Sequence, residues 1–112
     1  MKSGAELRAE IARAMKEATG LPDAMIGQLL TTAKASLNEY LEKADQALVD
    51  GKHEDLSLAL HTLKGMILQC GLNKLGEEAK TMYDHIREGK EYDCATTLAR
   101  IRRELAAFLR DE

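Results

Sequence analysis

Hydrophobic residues recur along this chain with the period of an α-helix, three or four positions apart, over its whole length. Glycines interrupt the pattern at intervals, and the only proline, Pro22, closely follows one of them. Glycine commonly ends a helix, and proline commonly stands near the start of one. The pattern therefore predicts helices at about residues 5–18, 23–50, 53–70, 73–87 and 93–110.

Each predicted helix carries an apolar stripe, which is the face expected to be buried. In the second helix the stripe comprises Ile26, Leu29, Leu30, Ala33, Leu37, Tyr40, Leu41, Ala44, Leu48 and Val49. In the third helix it comprises Leu56, Leu60, Leu63, Ile67 and Cys70. Short connections between amphipathic helices favour antiparallel neighbours. We expect a single all-α domain, in which residues 21–112 form an antiparallel up-down four-helix bundle and residues 1–20 an additional helix packed on it.

The composition fits one small domain and excludes several partners. A chain of 112 residues supports a single hydrophobic core. The net charge is −3, and the nearest approach to a basic cluster, at Arg100, Arg102 and Arg103, is better interpreted as a solvated face than as a nucleic-acid site. The sequence contains neither a signal-peptide pattern nor a run long enough to cross a membrane. We expect a cytoplasmic monomer that binds neither nucleic acid nor membranes.

Among the histidines, His61 is the one whose position calls for a functional explanation. His53 lies at a predicted helix start and His85 near a helix end, where capping or the helix dipole is an adequate reason for a histidine. His61 lies within the third helix and, at 100° per residue, points roughly 140° away from the apolar stripe. Neither capping nor packing explains it, although an ordinary exposed histidine stays an alternative.

Two neighbours of His61 indicate a particular chemistry. Lys64 and Gly65 follow it by three and four positions, so they adjoin it on the helix surface. A glycine within a helix costs about 0.5–1 kcal/mol relative to alanine, and a bare backbone at this point would let another macromolecule approach closely. A neutral imidazole nitrogen carries a lone pair that can act as a nucleophile. A lysine beside it would neutralise a phosphoryl group, and His61 is therefore a candidate phosphoryl acceptor.

The residues around His61 also resemble a known motif. The sequence LHTLKG at residues 60–65, followed by GL at residues 71–72, is similar to the His-x-Leu-Lys-Gly motif and closing Gly-Leu of histidine-containing phosphotransfer (HPt) domains. The resemblance covers about residues 21–110. It implies a four-helix bundle that carries a phosphoryl group on His61 between receiver-domain aspartates, or from a histidine kinase to a receiver. Lys64 would help to neutralise the phosphoryl charge, and Gly65 would leave room for the partner.

The same resemblance implies a phosphocarrier of a two-component phosphorelay rather than an enzyme. Members of the family have no ATP site, and this sequence contains neither a Gly-rich nucleotide loop nor a Walker motif. The Mg²⁺ ion and the acidic pocket of the transfer would belong to the receiver. We therefore expect no cofactor on this chain and a receiver domain, a histidine kinase or both as its partners.

The sequence departs from the family pattern in two places. Family members usually have small residues after Lys-Gly, whereas this chain has Met66, Ile67 and Leu68. Ile67 belongs to the core stripe, but Leu68 shares the His61 face and is expected to contact or crowd the partner. Members often have Gln or Glu twenty-two residues after the histidine, where this chain has Tyr83, whose hydroxyl is a possible hydrogen-bond partner of the imidazole.

The outward face of the third helix is the expected docking surface, because a receiver must bring its aspartate to the imidazole. The helical wheel places five residues there beside His61, namely Ser57, Leu58, Lys64, Gly65 and Leu68.

Two other classes of protein remain alternatives at this point. One is a helical interaction module that keeps the scaffold without transferring phosphoryl groups, which the bulk of Met66 and Leu68 favours and the Lys-Gly beside His61 disfavours. The other is a metal or redox bundle. Di-metal bundles need inward Glu-x-x-His pairs, which this sequence lacks, and Cys70 and Cys94 do not form a C-x-x-C pair.

Overall fold

The computed structural model describes residues 2–110, and five α-helices account for most of them. The helices are α1 (Gly4–Thr19), α2 (Asp23–Asp50), α3 (His53–Gln69), α4 (Asn73–Arg87) and α5 (Cys94–Leu109). Each predicted helix is present, with bounds that agree to within one residue at each end. Met1, Asp111 and Glu112, at the limits of the two predicted segments, lie outside the described residues.

Helices α2 to α5 form an antiparallel bundle in which α3 packs between α2 and α4, while α5 packs against α2 and α4. Helix α1 packs on α2 and α5, and an ion pair of 2.8 Å joins Lys16 of α1 to Asp23 at the start of α2. The predicted all-α bundle with an additional N-terminal helix is therefore confirmed. No helix in the described range is long and apolar enough to cross a membrane.

Local sequence explains where the helices begin and end. Ser3 and Glu6 form a capping box at the start of α1, in which the Ser3 hydroxyl accepts a hydrogen bond of 3.1 Å from the Glu6 backbone N–H. At the start of α5, the Asp93 carboxylate accepts a 3.1 Å hydrogen bond from the Thr96 backbone N–H. Glycines with positive φ follow α1, α2, α3 and α4, so the glycines that interrupt the hydrophobic pattern do end helices.

The apolar stripes meet in one core. Every residue of the α3 stripe is buried, and the opposing helices contribute Leu37, Leu41, Met82, Ile101 and Phe108. The α2 stripe extends one residue less far than predicted, because Val49 is 82% exposed. Successive helical residues point about 100° apart, and Ala47 and Leu48 already face the core at this end of α2.

Gly71, the motif glycine after α3, has two structural reasons to be a glycine. Its φ of +76° lies in the left-handed region that other residues rarely adopt. A Cβ atom at this position would also lie 2.3 Å from Cβ of Ala14, because α1 packs directly on the turn. Gly71 therefore both ends α3 and admits the additional helix.

Two of the three arginines of α5 form contacts with acidic side chains of neighbouring helices. Arg102 forms an ion pair with Asp45 of α2, and Arg100 lies 3.5 Å from the Glu78 carboxylate of α4. These contacts link α5 to both flanking helices of the bundle.

Candidate functional site

His61 projects from the middle of α3 into solvent while the helix beneath it is fixed. Its chain neighbour Leu60 and the following Leu63 are completely buried, whereas His61 itself is exposed. Among residues 2–110, none forms a hydrogen bond with the imidazole. The ring is therefore held on a rigid backbone with both of its nitrogens available.

Gly65 leaves open space beside the imidazole. A Cβ atom built on Gly65 would meet no atom within 4 Å outside its own helical turn. Packing within the described part of the chain therefore gives no reason for a glycine at this point, although it costs about 0.5–1 kcal/mol of helix stability. The missing side chain leaves the surface next to His61 free for another molecule.

Tyr83 of α4 brings His61 and Lys64 into one cluster. The Tyr83 and His61 ring centroids are 5.3 Å apart, with the planes tilted by 50°. The Lys64 Nζ atom lies 4.8 Å from the centroid of the same Tyr83 ring, within the range of a cation–π contact. We call His61, Lys64 and Tyr83 the His61 cluster.

The sequence offers the Tyr83 hydroxyl as a possible hydrogen-bond partner of the imidazole, but the structure shows no hydrogen bond between them. That hydroxyl accepts a hydrogen bond of 3.2 Å from Nη1 of Arg87, one turn further along α4. The imidazole is instead packed against the tyrosine ring. Arg87 was not predicted as part of this site, although its spacing of four residues from Tyr83 on one helix was a usable signal.

Leu68 also departs from its expected position. Its sequence position predicts an exposed side chain beside His61, but Leu68 is half-buried and packs over Gly76 of α4. His61, Lys64 and Leu68 do share a stripe of α3, and this stripe runs along α4. At the level of Leu68 the facing residue of α4 is a glycine, so the leucine fills the space between the two helices. Leu68 is therefore only partly exposed.

The other expected docking residues lie at the surface near His61. Leu58, three residues before His61, is 67% exposed, and Ser57 is half-buried. Together with Gly65 they adjoin His61 on the surface of α3. Met66 packs against the core and leaves this face clear.

The other two histidines lie in different surroundings. His85 donates a 2.8 Å hydrogen bond from Nδ1 to the Thr81 carbonyl and packs against Tyr92, with ring centroids 5.1 Å apart. His53 is the exposed first residue of α3. Neither has a Lys-Gly pair on the following turn.

The described residues give no support to a metal or redox site. Residues 2–110 contain no group of three or more His, Cys, Asp or Glu side chains placed to hold a metal ion. Cys70 and Cys94 are free and buried, and burial raises the pKa of the Cys70 thiol to about 11. Burial, with a smaller contribution from the Asp93 carboxylate, also raises the pKa of Cys94. Both thiols are therefore protonated near neutral pH.

Comparison with protein families identifies the family to which this fold belongs. The model of the Hpt domain family matches residues 28–111, most of the chain, and this span contains the whole His61 cluster. The chain belongs to the Hpt domain family. Proteins of this family act in histidine phosphotransfer as phosphocarriers rather than kinases, and generally interact with receiver domains and histidine kinases. Neither the curated proteins nor the solved structures gave a match.

Helix α1 precedes the matched span. The family match begins within the first two turns of α2, so α1 lies outside the matched span. Gly71, on which α1 packs, lies within it.

Proposed function

We propose that this chain is a histidine phosphotransfer protein of a two-component phosphorelay, with His61 as the residue that carries the phosphoryl group. The observation that carries the proposal is the exposed imidazole of His61 beside the open space at Gly65. A nucleophile that must meet an aspartate inside another protein needs both features. Membership of the Hpt domain family supports the same conclusion.

The proposed reaction needs only the imidazole and a phosphorylated partner. The lone pair of a neutral imidazole nitrogen attacks the phosphorus of an aspartyl phosphate on a receiver domain. The N–P bond forms as the bond from phosphorus to the carboxylate oxygen breaks, and that oxygen leaves with the electron pair. The attacking and leaving atoms lie in line with the phosphorus. The ring keeps the proton on its other nitrogen, and the reverse reaction returns the phosphoryl group to a carboxylate.

Lys64 is proposed to stabilise the phosphoryl group on His61. Its ammonium is held on the same tyrosine ring as the imidazole, so only side-chain rotation separates it from the phosphoryl oxygens. Charge-assisted hydrogen bonds of this kind are stronger than those between neutral groups. The Mg²⁺ ion would be bound by the receiver, so this chain would need no cofactor and would act as a carrier rather than as an enzyme.

The receiver is proposed to dock on the face formed by Ser57, Leu58 and Gly65 around His61. Leu58 offers an exposed apolar side chain, and Gly65 lets the partner reach the imidazole. Leu68, which is half-buried and packs over Gly76, offers the receiver less surface than the sequence indicated.

The interaction-only module is the weaker candidate. Its main support was the bulk of Met66 and Leu68, and neither side chain crowds His61, because one packs on the core and the other on α4. A cytoplasmic location and a monomeric state stay expectations from the sequence.

Phosphoryl transfer from receivers tests the proposal directly. Receiver domains from the same organism, phosphorylated with a labelled small-molecule donor, are incubated with this chain. We expect acid-labile, base-stable label on the chain from at least one receiver. If neither phosphorylated receivers nor phosphorylated histidine kinases transfer label, although some bind the chain, the interaction-only module is correct.

A further inference from the structure

We propose that Tyr83 is a positioning residue, whose ring holds the His61 imidazole and the Lys64 ammonium in place before the phosphoryl group arrives. This role rests on the proposed phosphoryl transfer at His61. It differs from hydrogen bonding to the imidazole, because the Tyr83 hydroxyl is engaged by Arg87 and the contact with His61 is made by the ring.

The imidazole needs such a contact because nothing else in the described chain fixes its orientation. An exposed side chain exchanges among staggered rotamers, and within residues 2–110 no hydrogen bond restrains His61. The Tyr83 ring lies 5.3 Å away at a tilt of 50°, which is a favourable arrangement for two aromatic rings. The contact therefore favours the rotamer in which the imidazole leans toward α4.

The same ring also holds the cation of the site. Lys64 Nζ lies 4.8 Å from its centroid, so the ammonium stays near the imidazole while no phosphoryl group is present to attract it. When His61 is phosphorylated, the stronger charge-assisted contact with the phosphoryl oxygens replaces the contact with the ring. The Tyr83 ring thus positions both the His61 imidazole and the Lys64 ammonium before transfer.

Tyr83 is itself well anchored. It is half-buried and packs against the core, and its hydroxyl accepts the hydrogen bond from Arg87 on the same helix. Its position on α4 opposite His61 is fixed by the packing of α3 against α4. A ring face takes up no proton, so this contact orients the imidazole without deciding which nitrogen carries the proton.

Two substitutions of Tyr83 separate the ring from its hydroxyl. Tyr83→Phe keeps the ring and removes the contact with Arg87, whereas Tyr83→Leu keeps apolar bulk and removes the ring. The matched control is Tyr92→Leu, because Tyr92 makes a similar ring contact with His85, at 5.1 Å and a tilt of 42°. The measurements are the rate of transfer from a phosphorylated receiver, over a range of receiver concentrations, and the NMR shifts of the His61 ring protons without phosphorylation.

We expect Tyr83→Leu to slow transfer at saturating receiver about tenfold, because the ring pair and the cation–π contact are both lost. The His61 ring protons should also lose their ring-current shift. Tyr83→Phe should keep that shift and stay within about twofold of the wild-type rate, and Tyr92→Leu should change neither measurement at His61.

The proposal is overturned if Tyr83→Leu transfers at the wild-type rate, if its His61 proton shifts are unchanged, or if Tyr83→Phe is slowed as much as Tyr83→Leu. In each case a wild-type chain that accepts label still supports the proposed function. A wild-type chain that accepts no label overturns the proposed function, and the positioning role with it, whatever the NMR shifts show.

Discussion

Leu68 of α3 occupies the space that Gly76 of α4 leaves by having no side chain. A Cβ atom on Gly76 would lie 2.3 Å from Cδ2 and 2.8 Å from Cγ of Leu68, which is too close for both to be present without movement. The contact explains how this chain accommodates a large residue shortly after the Lys-Gly motif. Part of the leucine side chain is taken up between α3 and α4.

The Leu68–Gly76 contact predicts strong coupling between the two positions. Gly76→Ala should destabilise the fold by about 1–2 kcal/mol, because the clash outweighs the roughly 1 kcal/mol gained in helix propensity. In Leu68→Ala the same Gly76→Ala substitution should be neutral or stabilising. Urea unfolding of the four proteins in this double-mutant cycle measures the coupling. If the two substitutions changed the free energy of unfolding additively, the packing of Leu68 would not depend on the missing side chain of Gly76.

The helices and the core could be predicted because their signals are local. Gly51 and Gly71 mark the ends of α2 and α3, and the apolar stripe of α3 is buried as the helical period requires. The surroundings of His61 could be predicted only in part. A helical wheel of α3 shows that Leu68 and His61 share a stripe, but it gives no information about α4, on which both residues pack.

The contacts of that stripe depend on how α4 is rotated and shifted against α3. That register places Gly76 opposite Leu68 and Tyr83 opposite His61. Neither pairing leaves a signal in the hydrophobic pattern of one helix. The corrected positions of Leu68 and the Tyr83 hydroxyl both follow from this missing information.

Gly65 should be required for transfer and dispensable for folding. Gly65→Ala should raise helix stability by up to about 1 kcal/mol. Gly65→Gln should also fold, since beyond its own helical turn no described residue lies within 4 Å of a Cβ there. Both should slow transfer from a receiver, Gln more than Ala, because the new side chain stands between partner and imidazole. Gly27 of α2 has the same open surroundings, so Gly27→Gln is the control and should transfer normally. Normal transfer by Gly65→Gln would show that the docking face is misplaced.

Lys64 should affect transfer more than stability. Its cation–π contact at a half-exposed site contributes about 0.5–1 kcal/mol, so Lys64→Ala should lower the melting temperature only slightly. The rate of transfer to and from His61 should fall, because the phosphoryl charge loses its neighbouring cation. Lys74→Ala, at an exposed lysine near the start of α4, makes the same change in net charge and should leave the rate unaltered. A large loss of stability with an unchanged rate would make Lys64 a structural residue instead.

The raised pKa of the Cys70 thiol predicts how the stability of the fold changes at alkaline pH. Burial raises its pKa from 9.0 to about 11, so the folded state favours the protonated thiol. The resulting stability is fully present below pH 9.0 and is lost as the pH rises toward about 11, because the unfolded chain ionises first. Urea unfolding between these pH values should show a shallower decline for Cys70→Ala than for the wild type. Equal slopes would mean that Cys70 does not contribute to the decline.

The central claim is that His61 carries the phosphoryl group, and the most direct test is to locate the label after transfer from a receiver. His61→Gln should accept no acid-labile, base-stable label and should keep the helical circular dichroism of the wild type, since the ring is exposed and has no hydrogen bond to another described residue. His53→Gln and His85→Gln serve as controls and should be labelled like the wild type. Label that persists in His61→Gln, or disappears in His85→Gln alone, would contradict the account.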